Sequence, residues 1–176
     1  MGKVTLRSIT TADSKVIFSV INQNRSYLRR WLTFIDDTIN EDFTLSYILK
    51  TSSYKKGGDI VFVIENDGLP VGLIGYESIN NYRKKAELGY WICPAYENKG
   101  FMNQAVSLAL KIGFCELSYN RIEIKSATGN IRSWILAEKH GFFFEGIERD
   151  GELLSTKEYT DVKVYSLLKR EFIKSI

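Results

Sequence analysis

The alternation of apolar and polar positions divides the chain into short strands and amphipathic helices. Val4 to Ile9 alternates with a period of two, as a half-buried strand does, and Thr11 and Asp13 then offer helix-start signals ahead of Val16, Ile17, Val20 and Ile21 at helical spacing. From Asn24 to Asp37 the stretch NRSYLRRWLTFIDD predicts a short helix or turn rich in aromatics. Asn40 is placed to cap a helix running from Glu41 to about Tyr54 and ended by Lys55-Lys56-Gly57-Gly58. Ile60 to Ile64 is an unbroken apolar run of strand length, Asn66-Asp67-Gly68 has hairpin-turn chemistry, and Val71 to Tyr76 is the returning strand. A second reversal at Asn80 to Arg83 leads into Ala86 to Ile92, so three antiparallel strands are expected before the chain breaks at Cys93-Pro94.

The stretch that follows organises the rest. After Glu87 to Ile92 the chain crosses the polar loop Ala95 to Lys99 and enters a long helix at Gly100. Its apolar rows, Ala105, Leu108, Ala109, Ile112 and Gly113 with Val106, Leu110 and Phe114, make a wide face for a sheet. The first N–H groups of such a helix lack internal partners, and its dipole puts partial positive charge there. Gly100 lets an anion approach without a Cβ in the way, Asn98 tolerates a left-handed turn, and Lys99 adds a mobile charge. On these residues alone the loop is either an anion site or an ordinary connection. Neither GxxxxGK[ST] nor a GxGxxG after a strand occurs, which disfavours a nucleotide hydrolase or a dinucleotide enzyme. Arg121 to Ala127 alternates again as a strand, and the helix before it makes it parallel to its predecessor. Asn130 caps a helix from Ile131 to about His140 closed by Gly141. Phe142 to Arg149 and Glu158 to Leu168 form a last strand pair across the loop Asp150 to Lys157.

Length and composition narrow the class. The 176 residues, 44% hydrophobic and 13% aromatic, suit one domain over 1–176 with a full core. The net charge of +3 is interspersed, apart from Arg83-Lys84-Lys85 in a turn, so nucleic acid is not implied as a partner. Cys93, Cys115 and a single His give no metal-ligand spacing, and a reduced cytoplasmic compartment is expected. MGKVTLRSIT lacks the apolar core of a signal peptide, and no run is long enough to span a bilayer.

The order of elements, together with Tyr27-Leu28-Arg29-Arg30-Trp31-Leu32, Glu87-Leu88-Gly89-Tyr90-Trp91-Ile92, Asn130-Ile131-Arg132-Ser133, Ala137-Glu138-Lys139-His140-Gly141-Phe142 and Asp161-Val162-Lys163-Val164-Tyr165-Ser166-Leu167, resembles the GNAT acyl-CoA N-acyltransferases. Within them it is most similar to the RimJ/RimL branch, which acetylates protein N-termini, notably of ribosomal proteins. The resemblance implies a mixed α/β fold. A mostly antiparallel sheet has one parallel strand-helix-strand unit that splays to hold acetyl-CoA, and helices cover both faces. Relatives often form homodimers. The family loop, Gln/Arg-x-x-Gly-x-Gly/Ala, here reads Glu97-Asn98-Lys99-Gly100-Phe101-Met102, keeping only Gly100. A carboxylate aimed at a pyrophosphate repels it. Glu97 is therefore expected to point to solvent, with the backbone N–H groups of Asn98, Lys99, Gly100, Phe101 and Met102 and the Lys99 side chain taking the phosphate contacts. By the same resemblance, main-chain groups of Trp91, Ile92 and Cys93 face the pantetheine arm, and Asn130 bonds that arm while also capping its helix.

Direct acyl transfer to an amine needs a neutral nitrogen, an oxyanion donor and a proton for the departing thiolate. Deprotonating an α-amine at pH 7 costs about 1 kcal/mol and a lysine about 4.6 kcal/mol, so a chain with one His and no obvious strong base suits α-amines. The resemblance makes Ser133 the proton donor to sulfur, because the Tyr that many relatives carry four residues later is here Ala137. It offers two bases, Glu152 between the last two strands and Glu87 acting through a water, and places the oxyanion donor at the main-chain N–H near Ile92 and Cys93. Tyr27, Arg29 and Trp31 are expected to wall the acceptor site, where Arg29 or Arg30 attracts an acidic N-terminal tail. Two alternatives stay open. One is a small-molecule acetyltransferase for polyamines or aminoglycosides, with an acidic pocket from Asp36, Asp37, Glu41 and Asp42. The other is a CoA-binding module without catalysis, motivated by Glu97 and the missing Tyr.

Overall fold

The apolar run from Ile60 and the turn at Asp67-Gly68 fold into the hairpin their chemistry dictates. The computed structural model, which describes residues 2–51 and 58–175, pairs β2 (Ile60–Asn66) antiparallel with β3 (Leu69–Asn80). Asp67 and Gly68 both take positive φ, 50° and 78°, as a tight hairpin turn of right-handed twist requires. β1 (Val4–Ser8) lies against β2 and β4 (Lys85–Ile92) against β3, both antiparallel. The crossover helix α4 (Phe101–Lys111), extended by a wider turn over Ile112–Glu116, returns the chain so that β5 (Arg121–Ala127) runs parallel to β4. β6 (Phe143–Leu153) and β7 (Tyr159–Leu168) complete a seven-stranded sheet in the order β1-β2-β3-β4-β5-β7-β6. The mixed α/β architecture expected from the sequence, mostly antiparallel with one parallel pair, is the one observed.

Strand alternation sends side chains to two cores. On one face Ala105, Val106, Ala109, Leu110 and Phe114 of α4, with Ala137 of α5 (Ile131–Lys139), pack on Ile74, Leu88, Ile122, Ile124 and Tyr165. On the other, α1 (Ser14–Gln23), α2 (Arg25–Leu28) and α3 (Glu41–Thr51) bury Ile17, Ile21, Leu28 and Ile48 against Val61, Val63, Leu73 and Trp91. The entry to α1 is fixed by Asp13. It accepts two bonds from the Arg7 guanidinium at 2.9 Å and one from the Thr10 N–H at 2.8 Å, and the Arg7 contact holds its carboxyl below the usual range. Asn40 Oδ1 accepts the Phe43 N–H at 3.1 Å and so caps α3. The expected end of that helix, residues 52–57, lies outside the described residues. The Arg25 guanidinium donates to the main-chain oxygens of Ile35 and Thr38, which turns the aromatic segment back on itself between α2 and α3.

Two boundaries differ from the sequence reading. β6 runs on to Leu153, so Glu152 belongs to a strand rather than a loop. The extra residues are absorbed by a register shift between Glu148 and Glu152, with Asp150 at φ 50° and its N–H donated to Asp161 Oδ1 at 3.0 Å. A final helix, α6 (Lys169–Ser175), follows β7, and Phe172 stacks on Phe114 at 5.0 Å. Its start is signalled only by Glu171, which accepts the Leu168 N–H. Among the described residues no helix is long and apolar enough to cross a membrane.

The feature that positions the site is a parting of strands. β4 and β5 pair at Lys85 with Arg121, Ala86 with Ile122 and Glu87 with Glu123, and no further, although β4 continues to Ile92 and β5 to Ala127.

Close packing under that unit yields a stability prediction. Tyr76 is fully buried, and its hydroxyl donates to the Ala109 carbonyl. A Cβ at Gly113 would stand 2.5 Å from that hydroxyl and 2.7 Å from Ile122 Cδ1. Gly113→Ala is expected to destabilise the protein by about 1–3 kcal/mol through overpacking, read as a fall of several degrees in the calorimetric melting temperature. An unchanged midpoint would mean that the Tyr76 wall yields.

Candidate active site

Beyond Glu87 and Glu123 the gap between β4 and β5 opens into a crevice of about 690 Å³ on the α4 and α5 side. Its rim is the loop before α4. Asn98 and Gly100 both adopt left-handed φ, 56° and 77°, with Gly100 as the N-terminal cap residue of the helix. Left-handed residues alternating with others form a concave array of N–H groups, and here it lies at the positive end of an eleven-residue helix. That is a fit for a diphosphate. Phe101 and Met102 both line the crevice, the Phe101 ring largely buried and edge-on to Tyr96 at 5.5 Å. Lys99 Nζ donates to the Ala95 carbonyl at 2.7 Å, which folds the loop's mobile charge against its own backbone.

Glu97 departs from expectation. It does not point to solvent. Its carboxylate turns across the crevice, accepting from the Tyr27 hydroxyl and from the Arg132 guanidinium, and its side chain is only 17% exposed. The physical reason is compensation: α5 brings a guanidinium to the opposite wall, so the charge is paired rather than solvated.

Along β4 the main chain divides its donors. The Cys93 N–H donates to the Val71 carbonyl at 2.8 Å and is not available to a ligand. Alternate residues of an antiparallel strand direct their N–H groups to opposite sides, so the Ile92 N–H is turned toward the gap. Burial raises the Cys93 thiol, which keeps it protonated and unreactive. Asn130 occupies the cap position of α5, yet its side chain makes no capping bond, leaving its amide to the crevice that it lines. Ser133, one turn on, has Oγ at 3.0 Å from the Tyr90 hydroxyl, which also donates to the Ser133 carbonyl at 3.2 Å. Burial pushes Tyr90 up to about 12, so this hydroxyl stays protonated.

The opposite face of the sheet carries a second cavity of about 600 Å³ between α3 and strands β2 to β4. Asp37, Asp42, Asp59 and Glu77 line it against a single described cation, Lys50. Tyr90, Trp91 and Leu32 line both cavities, so the two meet where β4 leaves β5. Glu87 stands opposite Glu77 across the β3–β4 ladder, and burial followed by the charge of Glu77 pushes its carboxyl up to about 7. Glu152, on β6, pairs in register with Thr160 and is exposed; burial raises the Glu77 carboxyl, and the charges of Asp59 and then Glu152 add to that. Of the residues expected to wall the acceptor site, Tyr27 and Trp31 line the first crevice instead, and Arg29 lines neither cavity because Asp36 holds it at 2.7 Å on the surface. Arg30 is the arginine in the crevice, its guanidinium 4.5 Å from the Tyr27 ring centre.

Three groups brought in by the structure escaped the sequence reading: Tyr90, Arg132 and Glu77. Tyr90 alternates in β4 with Trp91, a signal that it faces the α5 side. Arg132 follows Asn130 by half a turn. Glu77 carried no signal short of the β3 register.

The chain matches the Acetyltransferase (GNAT) domain model over residues 3–143. It is 32% identical over 171 residues to a putative ribosomal N-acetyltransferase YdaF of Bacillus subtilis (strain 168), covering 96% of this chain and 93% of the relative. It is 28% identical over 143 residues to the spermidine N(1)-acetyltransferase of Escherichia coli (strain K12), covering 81% and 74%. A RimL ribosomal alpha-N-protein acetyltransferase solved in complex with coenzyme A superposes with a TM-score of 0.90 at 20% identity, over 94% of this chain and 93% of that one. The strand order, the parting of β4 from β5 and these likenesses agree, and the chain belongs to the GNAT acetyltransferase family.

Proposed function

We propose that the chain transfers the acetyl group of acetyl-CoA directly to a primary amine, the N-terminal α-amine of a protein such as a ribosomal protein, in the cytoplasm, and that the whole of residues 1–176 forms one acetyltransferase domain. One observation carries the reading. Two cavities on opposite faces of the sheet meet at Tyr90 and Trp91, where the β4–β5 ladder has ended. Acetyl-CoA, when bound, supplies an acetyl group activated as a thioester. The amides of Asn98 to Met102 hold its phosphates at the start of α4, and the Asn130 amide holds its arm. The Ile92 N–H, turned into the gap, donates to the carbonyl oxygen under attack. Ser133, kept in place by Tyr90, donates the proton at sulfur. Glu87, poised near neutrality, takes the proton from the acceptor nitrogen, and Glu152 adds negative charge at the acceptor side.

A second reading, a polyamine acceptor, is favoured by the acidic lining of the acceptor cavity, whose Asp37, Asp42, Asp59 and Glu77 suit a polycation. The named activity of the spermidine relative points the same way. Turnover of acetyl-CoA across a panel of N-terminal peptides and a panel of polyamines separates the two, and silence on both panels would defeat acetyl transfer to either class.

The acid–base assignment fixes a pH profile. An ionised Glu87 is the active form, so kcat/KM is expected to rise with pH through about 7. Glu87→Gln should lower kcat roughly a hundredfold, the usual contribution of a general base, and remove that rise. The crevice charges fix a binding experiment. Arg132→Ala strips Glu97 of its cation and should weaken acetyl-CoA binding roughly tenfold through unscreened repulsion of the diphosphate. The double variant Glu97→Gln with Arg132→Ala should restore most of that affinity in calorimetry. Equal loss in both variants would mean that Arg132 itself binds the phosphates.

A further inference from the structure

The face of the sheet beneath α3 has a gap in its side chains. In the β3–β4 ladder Leu73 opposes Trp91, Gly75 opposes Gly89 and Glu77 opposes Glu87. Directly opposed residues of an antiparallel pair share a face, so the two glycines leave a bare patch between an apolar pair and an acidic pair. Both line the cavity of about 600 Å³. They are bare for different reasons. A Cβ on Gly75 would stand 2.4 Å from the Ile60 carbonyl oxygen, so the close approach of β2 demands that glycine. Among the described residues nothing demands Gly89. Its φ is not left-handed. Chain neighbours aside, the only atoms within 4 Å of the place for its Cβ are Oε1 and Cδ of Glu77, the end of a flexible side chain, at 3.0 and 3.6 Å. A glycine inside a strand weakens it and marks a place where a ligand or another backbone comes close. At Gly89 no backbone does.

A second observation lies on the roof of the same cavity. Phe34, Ile39, Phe43 and Tyr47 are large apolar side chains left 38%, 74%, 37% and 39% exposed, and all four line it. Phe43 and Tyr47 stand four apart on α3 and so share one side of the helix, while Ile48 is fully buried in the core. Burial, and then the charges of Glu77 and Asp59, raise the Tyr47 hydroxyl, which sets that ring near the carboxylate bordering Gly89. Contiguous exposed apolar surface of this kind marks a binding site. Its charged lining, Asp37, Asp42, Asp59 and Glu77 against Lys50, calls for an occupant that carries positive charge as well as an apolar body.

We propose that the bare patch at Gly89, roofed by Phe43 and Tyr47, is the pocket for the acceptor's first side chain, and that the acceptor is a protein N-terminus beginning with a large apolar residue such as Leu, Met or Phe. This rests on the acetyltransferase reading above and narrows its substrate. The two cavities meet at Tyr90 and Trp91. Gly89 lies two residues from Trp91 on an extended strand, about 6.6 Å. From an α-amine held at the meeting point, the side chain of Leu, Met or Phe reaches the patch. Those of Ser and Ala end just beyond Cα and leave it empty. A polyamine supplies the charge but has no apolar bulk to fill the space between the glycines and the rings.

Steady-state kinetics of the full chain test the pocket, with tetrapeptides that differ only in their first residue, Phe, Leu, Ser or Ala, and with spermidine. The Phe- and Leu-initiated peptides are expected to exceed the other acceptors in kcat/KM by about tenfold or more, the discrimination that a filled apolar pocket gives. Gly89→Ala, which occupies the patch, should cut the Phe-to-Ala ratio about tenfold through the KM of the acceptor. Acetyl-CoA affinity and melting temperature serve as checks on folding. If that variant does not fold, Phe43→Ala, a change at a partly exposed position that removes the roof, reads the same ratio. An unchanged ratio, or a preference of the unaltered protein for Ser, Ala or spermidine, overturns the pocket while leaving acetyl transfer intact. Absence of turnover with every acceptor overturns the acetyltransferase reading instead. Calorimetry of the Phe- and Ala-initiated peptides in the presence of CoA then reads the pocket directly, supporting it if the Phe peptide binds more tightly and overturning it if the two bind alike.

Discussion

The parting of β4 from β5 is the constraint on which the rest of the structure depends. Each strand is held elsewhere. β4 stays in register with β3 as far as Ile92, and Cys93 adds one more bond to Val71, while β5 keeps its ladder with β7 from Arg121 to Ala127. The sheet is thus two internally satisfied halves joined by a short parallel seam. Backbone N–H and C=O groups are obligatory hydrogen-bonding groups, and those of β4 that face the gap have lost the strand that would have used them. A ligand with amide groups of its own is the natural partner for such an edge. The crossover then puts the amino end of α4 at the head of the same gap, so the unpaired amides of the helix start and the exposed strand edge border one crevice.

Charge is sorted across the sheet in a way the total of +3 conceals. In the crevice beside α4 and α5 the one carboxylate in the loop, Glu97, is tied to Arg132 and Tyr27, which come from α5 and α2. The crevice thereby keeps a helix terminus and paired charges where an anion would lie. In the cavity on the other face four carboxylates face one described lysine. In the proposed reading an anionic donor and a cationic acceptor would each be met by the opposite sign.

Much of this was legible in the sequence because it is local. The Asp67-Gly68 turn, the left-handed Asn98 and Gly100, the Asn40 cap and the parallel sense of β5 follow from neighbours in the chain. The rest depended on residues far apart in sequence. Glu97 looked like a solvated loop charge because Arg132, thirty-five positions on, was not yet beside it. Arg29 and Arg30 were indistinguishable until Asp36 took the first to the surface and the Tyr27 ring took the second into the crevice. The length of β6 was hidden by its irregular middle, since a strand that absorbs extra residues loses the period of two by which it is recognised. Glu77 became visible only through register, which no spacing within one strand reveals.

In the proposed reaction the two proton transfers lie on opposite faces, one at Glu87 and one at Ser133, and this separation bears on turnover. A protonated amine entering the acceptor cavity is drawn by Asp37, Asp42, Asp59 and Glu77. Its acetylated product is a neutral amide and keeps none of that attraction. Each unit charge lost near the protein surface removes an interaction of a few kcal/mol at about 4 Å. The same carboxylates that gather the substrate therefore have no hold on what replaces it. Release on that face follows from the chemistry itself, and the donor side, where the phosphate charges of CoA are unchanged by acetyl loss, is left as the face whose exit is governed by the fixed amides of the α4 loop.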